Sequence, residues 1–519
     1  MSAGLGWLYR HTLKRVPAVD RLRFIQELKR AGYSRLEHLG RAADRRRHRA
    51  AIQGYVPGED EARAFAVLLE RLELEVPPAA VMAGLKGTMT RAEFGALLAL
   101  LRRPGAPAKG RPGGVLRAAD LPLAASSRRL SILVIADQFP NPLHGGGARL
   151  ADFIRLVGAD HDLYLYALFD DRYDTAAFQS LRPSCRAVER VRYPHFEGSV
   201  EHIKRFMAGA RADVVHYEWP RSLSNTAREL GRWHIYTYME VVSLRLRLDL
   251  ERQAPLSPAW LHTLAALLSV LKAEVVDVAG MDTHIVVTQR DGEFLSRFNP
   301  ERSFVVLNSG VNLEEFDLPE VPPEPHSLAF VGNYLHYPNV DAVEFFFDRI
   351  FDPIRRQLPD VKVYLVGGHA PRVIRARHDN RNVFVTGPVD DVRPYLQRAA
   401  VCIAPLVSGA GMRTKVIHYA ALRRPCVATS LAVAGLLFED GQEIYLADDP
   451  AAFASRVVEL VQHPEQARRM ADAAYAKVVR HYDNRALVQY MYRIYDHLGA
   501  GETNWPAEAK PAPPGGARR

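Results

Sequence analysis

Two doubly wound α/β domains in tandem, preceded by a small all-helical module, are the architecture this sequence predicts. Short apolar strand-like runs alternate with helical stretches from residue 128 to about 498. A proline-rich segment interrupts that alternation once. Before residue 104 the apolar spacing is helical and strand-like alternation is absent.

The helical module spans residues 1–103. LRFIQELKRAG and EARAFAVLLERLEL place apolar residues on one helical face, and TRAEFGALLALLRR opens with Thr90 and Glu93 in capping-box spacing. The net charge of the chain is +9, and residues 1–49 carry all of it, with 13 Lys and Arg against four acids. Such a surplus suits an anionic membrane surface, and a solvated helical face accounts for it as well. No nucleic acid is expected. Residues 104–127 are rich in Pro, Gly and Ala and read as a flexible linker.

From 128 to 318 the runs SILVIA, DLYLYAL, DVVHY, HIYTY, THIVVT and SFVVL read as buried strands of a parallel sheet covered on both faces. LPEVPPEPH, with four prolines in nine residues, reads as a hinge. A second series fills 325–483, with strands SLAFVG, VKVYLVGG, NVFVTG, VCIAP and PCVAT. The helix over 484–498 aligns Leu487, Met491, Ile494 and Leu498 on one face, and residues 499–519 are expected to be disordered.

Composition narrows the class. Of 519 residues, 48% are hydrophobic and 24% charged, which excludes wholesale disorder and a collagen-like chain. The cysteines are few, Cys185, Cys402 and Cys426, and two lie in apolar runs, so a disulfide scaffold is excluded and a reducing cytosol fits. No unbroken run of 18 apolar residues occurs, and the N-terminus lacks the apolar core of a secretory signal, so a cytoplasmic location is expected.

Three loops follow strands where ligands of open α/β sheets bind. Gly145, Gly146 and Gly147 follow SILVIA, where a glycine turn lets backbone N–H groups approach an anion. The segment Ser408-Gly409-Ala410-Gly411-Met412-Arg413-Thr414-Lys415 follows VCIAP. It combines two glycines, two cations and a helix start, the chemistry a diphosphate requires. Gly332, Asn333 and His336 follow the first strand of the second domain, where Pro338 starts a helix and Asn339 is a candidate cap.

These stretches resemble family 4 glycosyltransferases, of the glycosyl transferases group 1 type. FVGNYLHYPNVDAVEFFFDRIFDPIRRQLPDVKVYLVGG is similar to the start of their nucleotide-binding domain. APLVSGAGMRTKVIHYAALRRPCVATSLAVAGL is similar to their donor segment, VVLNSGVNLEEF to the link between their domains, and FPNPLHGGGARLADFIRL to their acceptor-side loop. The resemblance covers about 130–498 and leaves residues 1–127 outside. It implies a GT-B fold, two Rossmann-like domains facing a cleft, with the last helix crossing back onto the first domain. It further implies metal-independent transfer of a sugar from a nucleotide-sugar to a glycan or lipid-linked acceptor, with retention of configuration. No cofactor or metal is expected, because the nucleotide-sugar is a substrate.

By the same resemblance, Gly332, Asn333, His336, Gly409, Gly411, Arg413, Lys415 and His418 are donor-binding residues. Glu240, Arg245 and His216 are the catalytic candidates, with Glu218 beside His216. Two departures stand out. Ala410 and His418 occupy the places of the family's usual glutamate pair, and the 332–336 loop lacks its usual Arg and Lys. A histidine makes one hydrogen bond where a carboxylate makes two. Alternative readings are therefore a catalytically silent nucleotide-sugar-binding or scaffold protein, and a GT-B epimerase. If the acceptor is lipid-linked, the enzyme works at the inner face of the cell membrane.

Overall fold

The computed structural model describes residues 59–78, 80–81, 114–121, 128–141, 145–171, 174–192, 195–278, 280–299, 302–409 and 411–499. The basic stretch 1–49, the expected helices over 22–32 and 90–103, and the tail from residue 500 lie outside them.

The first domain is built on an eight-stranded parallel sheet. In chain order its strands are β1 (Val115–Arg117), β2 (Ser131–Ala136), β3 (Asp162–Leu168), β4 (Ala187–Val191), β5 (Ala212–Glu218), β6 (Gly231–Tyr238), β7 (Thr283–Val286) and β8 (Phe304–Val306). They lie in the order β1-β8-β7-β6-β5-β2-β3-β4. Ahead of them comes helix α1 (Glu59–Arg71). Between them come α2 (Gly145–Asp160), α3 (Thr175–Leu181), α4 (Val200–Phe206), α5 (Val242–Glu251), α6 (Pro258–Lys272) and α7 (Gln289–Ser296).

Residues 104–127 do not form the uniform linker expected of them. Val115–Arg117 pairs in parallel with Phe304–Val306 and supplies the sheet's edge strand. Leu121 is buried behind it, and its carbonyl accepts a bond from Arg493 Nη1 at 2.9 Å. Three residues among Gly, Pro and Ala are too few to show strand periodicity, so only the pairing reveals them. Helix α1 also docks on this domain, burying Phe65, Leu68, Leu69 and Leu72.

The second domain carries a six-stranded parallel sheet in the order β11-β10-β9-β12-β13-β14. Its strands are β9 (Glu324–Val331), β10 (Lys362–Val366), β11 (Val383–Gly387), β12 (Ala399–Ala404), β13 (Cys426–Ala428) and β14 (Tyr445–Leu446). The helices are α8 (Tyr337–Phe345), α9 (Phe351–Gln357), α10 (Arg372–Arg375), α11 (Arg393–Arg398), α12 (Thr414–Ala421), α13 (Pro450–Gln462) and α14 (Pro464–His481). Helix α15 (Asn484–Gly499) then returns to the first domain, where Leu487, Val488, Met491, Ile494, Tyr495 and Leu498 complete its core.

The crossing between domains is not at the proline-rich segment. Leu307 belongs to the core of the first domain and Val311 to that of the second, so the chain crosses at 308–310. It runs beside the return crossing: Val311 N bonds Tyr482 O at 2.8 Å, and Asn484 N bonds Val311 O at 3.0 Å. A Cβ on Gly310 would lie 2.4 Å from Tyr482 O, so only glycine lets the two crossings touch. The prolines instead lie along the second domain, with Pro319 O accepting from Gln397 at 2.8 Å.

All three cysteines are buried and free. The stretch Pro258–Asp277 has the length and apolarity of a membrane span although His, Thr and Lys interrupt it. Trp260, Leu264, Leu267, Leu268 and Leu271 of this stretch are buried in the core of the first domain.

Candidate active site in the cleft

The loop expected to bind the donor, called the donor loop below, connects β12 to α12. Gly409 and Gly411 have φ of +96° and +77°, the left-handed region that strains any other residue. A Cβ at Gly409 would also sit 2.8 Å from Pro338 Cγ. Arg413 caps α12, its guanidinium folded back onto Gly411 O. Lys415 Nζ donates to Asn339 Oδ1 at 2.6 Å and lies 4.1 Å from the centre of the Phe330 ring. Burial, reinforced by the Arg413 charge, pulls the Lys415 ammonium down to about 7. Two cations thus sit at one helix N-terminus, poised for an anion that would relieve their repulsion.

The 332–336 loop lies against this one. A Cβ on Gly332 would meet Asn339 Cγ at 2.7 Å, so the glycine admits the side chain that holds Lys415. Asn339 is not the cap of α8. His336 occupies that position, while Asn339 lies within the first turn and donates to Asn333 O at 2.8 Å. Asn333 Oδ1 accepts from Leu335 N at 3.1 Å, a local turn bond. His336 is pushed below the usual imidazole range, chiefly by burial. His418, on α12 beside Lys415, packs against Phe316 with ring centres 5.1 Å apart. Burial, then Arg393 and Lys415, lower it to about 4, so it is neutral at physiological pH.

Across the cleft, Glu240 follows β6. Its Oε1 accepts from Arg245 Nε at 3.1 Å. Its Cγ would lie 3.8 Å from a Cβ on Gly411, so Glu240 faces the donor loop. Its charge also acts on Arg413 and His336. Buried Glu274 fixes the start of α5 by accepting from Val242 N at 2.8 Å and Ser243 N at 3.2 Å, which sets Arg245 one turn further on.

His216 lies elsewhere. It is fully buried on β5, its Nε2 2.8 Å from the Tyr495 hydroxyl of α15 and its ring 5.3 Å from that of Phe153. Burial, helped by Arg149, lowers it to about 3. This corrects the catalytic expectation, because a neutral histidine enclosed beneath the crossing helix has no route to substrate. Glu218, two residues on, is buried at the strand end, and its Oε2 has no hydrogen-bond partner among the described residues. Burial raises it to about 7 against the opposing charge of Arg149. The glycine triplet is the first turn of α2. A Cβ on Gly147 would lie 2.3 Å from Asn141 O, so that glycine serves close packing.

Sequence reading missed two features. A narrow crevice lies between Leu244, Arg290 and Asp291 of the first domain and Gly409, Gly411 and Arg413 of the second. Asp291 is buried and raised to about 6 by that burial. Thr288 caps its helix by accepting from Asp291 N at 3.1 Å, and the Thr-x-x-Asp spacing in TQRDGEF was the available signal. The second feature is a pair of bridges from one domain to the other. Tyr337 OH donates to Asp249 at 2.8 Å, and Arg252 pairs at 3.1 Å with Asp341, which also accepts from Ser408 Oγ at 2.5 Å. Among the described residues no group of three or more His, Cys, Asp or Glu is arranged to hold a metal.

Two parallel sheets facing a cleft, with the final helix returned to the first domain, define the GT-B class. Residues 325–463, the second domain, match the family described as glycosyl transferases group 1, in line with the resemblance read there from the sequence. Sucrose-phosphate synthase from Thermosynechococcus elongatus is similar over 72% of this chain and 100% of its own, with a TM-score of 0.54 and 16% identity. HepE from Anabaena, in complex with UDP and glucose, is similar over 71% and 100%, with a TM-score of 0.52 and 13% identity. A glycosyltransferase from Rickettsia africae gives 0.53 at 12% identity, over 72% and 99%. At these identities the likeness is one of fold. A protein in the cps region of Klebsiella pneumoniae is 19% identical over 175 residues, which are 32% of this chain and 45% of that protein.

Proposed function

We propose that this protein transfers a sugar, with retention and without a metal, from a nucleotide-sugar to a glycan or lipid-linked acceptor of polysaccharide assembly. The observation that carries the reading is the donor loop. It sets two left-handed glycines, a helix N-terminus, Arg413 and Lys415 opposite Glu240 and Arg245. Arg413 and Lys415 would hold the diphosphate as charge develops on it. Arg413 must leave Gly411 O to do so. In the retaining step the acceptor oxygen bonds to the anomeric carbon as the carbon–phosphate-oxygen bond breaks, on the same face. The acceptor proton passes to the departing phosphate. The family match and the cps-region relative support sugar transfer and a polysaccharide setting.

Titration calorimetry with UDP tests the donor site, and release of UDP from a sugar nucleotide in the presence of lipid-linked glycans tests transfer. Binding without any release would favour the silent reading, which His418 motivates, because a neutral histidine replaces a carboxylate there. Absence of binding to UDP and to every other nucleoside diphosphate would overturn both. A cytoplasmic location at the inner membrane face belongs to the same proposal. Full-length protein should pellet with anionic liposomes at low salt, and deletion of residues 1–49 should abolish this.

A further inference from the structure

Two helices form the first-domain wall of the cleft pocket, α5 through Leu244 and α7 through Arg290 and Asp291. Both are held from behind by residues that precede β2. The guanidinium of Arg247, on α5, is buried. It donates to Leu72 O, to Glu73 O at 3.0 Å and to Glu251 Oε1 at 2.8 Å. Leu72 and Glu73 close helix α1, and carbonyls at a helix C-terminus are favourable partners for a cation. The Glu73 carboxylate reaches the other helix, pairing with Arg297 just past α7 at 2.7 Å. Beneath α7, Gly292 rests on the edge strand, and a Cβ there would lie 2.7 Å from Val115 Cγ1. The opposite side of α5 makes the bridges to the second domain. Asp249 takes the Tyr337 hydroxyl, and Arg252, just past the helix, takes Asp341, which holds Ser408 of the donor loop.

We propose that residues 59–81 together with β1 form a backing clamp for the donor pocket, with Arg247 as the positioning residue that fixes α5 for engagement of the second domain. Arg247 touches no substrate and acts through Leu244, Arg245 and Asp249. The consequence is that nucleotide affinity depends on a segment lying behind the cleft wall.

The test uses the full chain and two measurements, hydrogen exchange without ligand and UDP affinity by calorimetry. Arg247→Ala should speed exchange at 242–252, 288–297 and 408–415, since loss of anchoring lowers the cost of local opening. UDP affinity should fall roughly three- to thirtyfold, the range expected for a coupled remote position. Arg247→Lys, which keeps the charge but loses the fork, should recover part of both effects. Glu73→Gln should loosen 288–297 most and 242–252 less, because the carboxylate pairs with Arg297 at 2.7 Å and with Arg247 only at 3.8 Å. Faster exchange confined to 59–81, with unchanged UDP affinity, would overturn the clamp. Should Arg247→Ala fail to fold, Arg247→Lys and Glu73→Gln carry the same two readouts. The clamp rests on the donor-site reading only for its ligand. If the unaltered protein binds neither UDP nor any other nucleoside diphosphate, that reading fails and the exchange pattern still decides the clamp.

Discussion

In the first domain Asp137, Asp152, Glu218, Glu274 and Asp291 are all held above the ordinary carboxylate range, in each case chiefly by burial. In the second, Glu324, Asp360, Asp379, Asp391 and Glu459 are all held below it. Hydrogen bonds from Lys362 and Tyr364 outweigh burial at Glu324, and backbone N–H groups do so at Asp379. In the second domain these five acids lie near the surface, and its candidate site is made of loop backbone and two cations. The first places the acids named above inside, Asp137 and Glu218 at strand ends, Asp152, Glu274 and Asp291 on helical segments, where their ionisation is costly. Backbone cradles suit what all nucleotide donors share.

The largest test of this contrast is to remove residues 1–127. That deletes β1 and the buried side chains Phe65, Leu68 and Leu69 of α1 and Leu72 just past it, each worth about 1.5–3 kcal/mol. Calorimetry should show the transition of the first domain lost or sharply lowered and that of the second domain nearly unmoved. A truncated protein with both transitions intact would show that the extension is dispensable to the fold.

Lys415→Ala should weaken UDP binding by about 1.5–3 kcal/mol, the worth of a charge-assisted contact, without moving either transition downward. In the empty protein the Lys415 ammonium loses its proton near pH 7, whereas in the unfolded chain it keeps it to about 10.4. The folded state therefore binds fewer protons between those values. The lysine's contribution to stability is least favourable below pH 7 and improves as pH rises. UDP binding runs the other way, because it needs the cation, so affinity should fall as pH rises above about 7. Lys415→Arg, charged throughout, should flatten that profile. A wild-type profile that is already flat would remove Lys415 from the phosphate site.

The smallest effect concerns Glu218. Its folded value of about 7 exceeds its unfolded value of about 4.3, so the folded state binds more protons between them and loses stability as pH rises through that window. Glu218→Gln removes this penalty and also the attraction to Arg149. The expected net gain is on the order of 1 kcal/mol at pH 8, growing from pH 4.3 to about 7 and level above. Thermal unfolding at pH 5 and pH 8 checks it, and equal shifts at both would contradict a proton-linked origin.

The sequence made the second domain easy to read. Its strands are apolar runs bounded by glycine or proline, and Gly409, Gly411, Arg413 and Lys415 announce their chemistry within eight residues. The first domain resisted for definite reasons. Val115–Arg117 is a strand only because Phe304–Val306 lies beside it. AVERV at β4 alternates too weakly to stand out. His216 looks functional until helix α15, almost 280 residues away in sequence, covers it. Asp249, Tyr337, Arg252 and Asp341 acquire meaning only when two helices from different domains face each other. Partners distant in sequence leave no local periodicity to detect.

The returning helix α15 sets a schedule for biosynthesis. The core of the first domain lacks Leu487, Met491, Ile494 and Tyr495 until the ribosome has made the whole of the second domain. About 190 residues separate the last strand of that sheet from the end of the helix that covers it, so at 5–20 residues per second the sheet waits roughly 10–40 seconds with an apolar face bare. The second domain needs no such delayed contribution to its own core. It is the half that can mature first, although it is translated after the first, and the nascent first domain is the natural client for a chaperone.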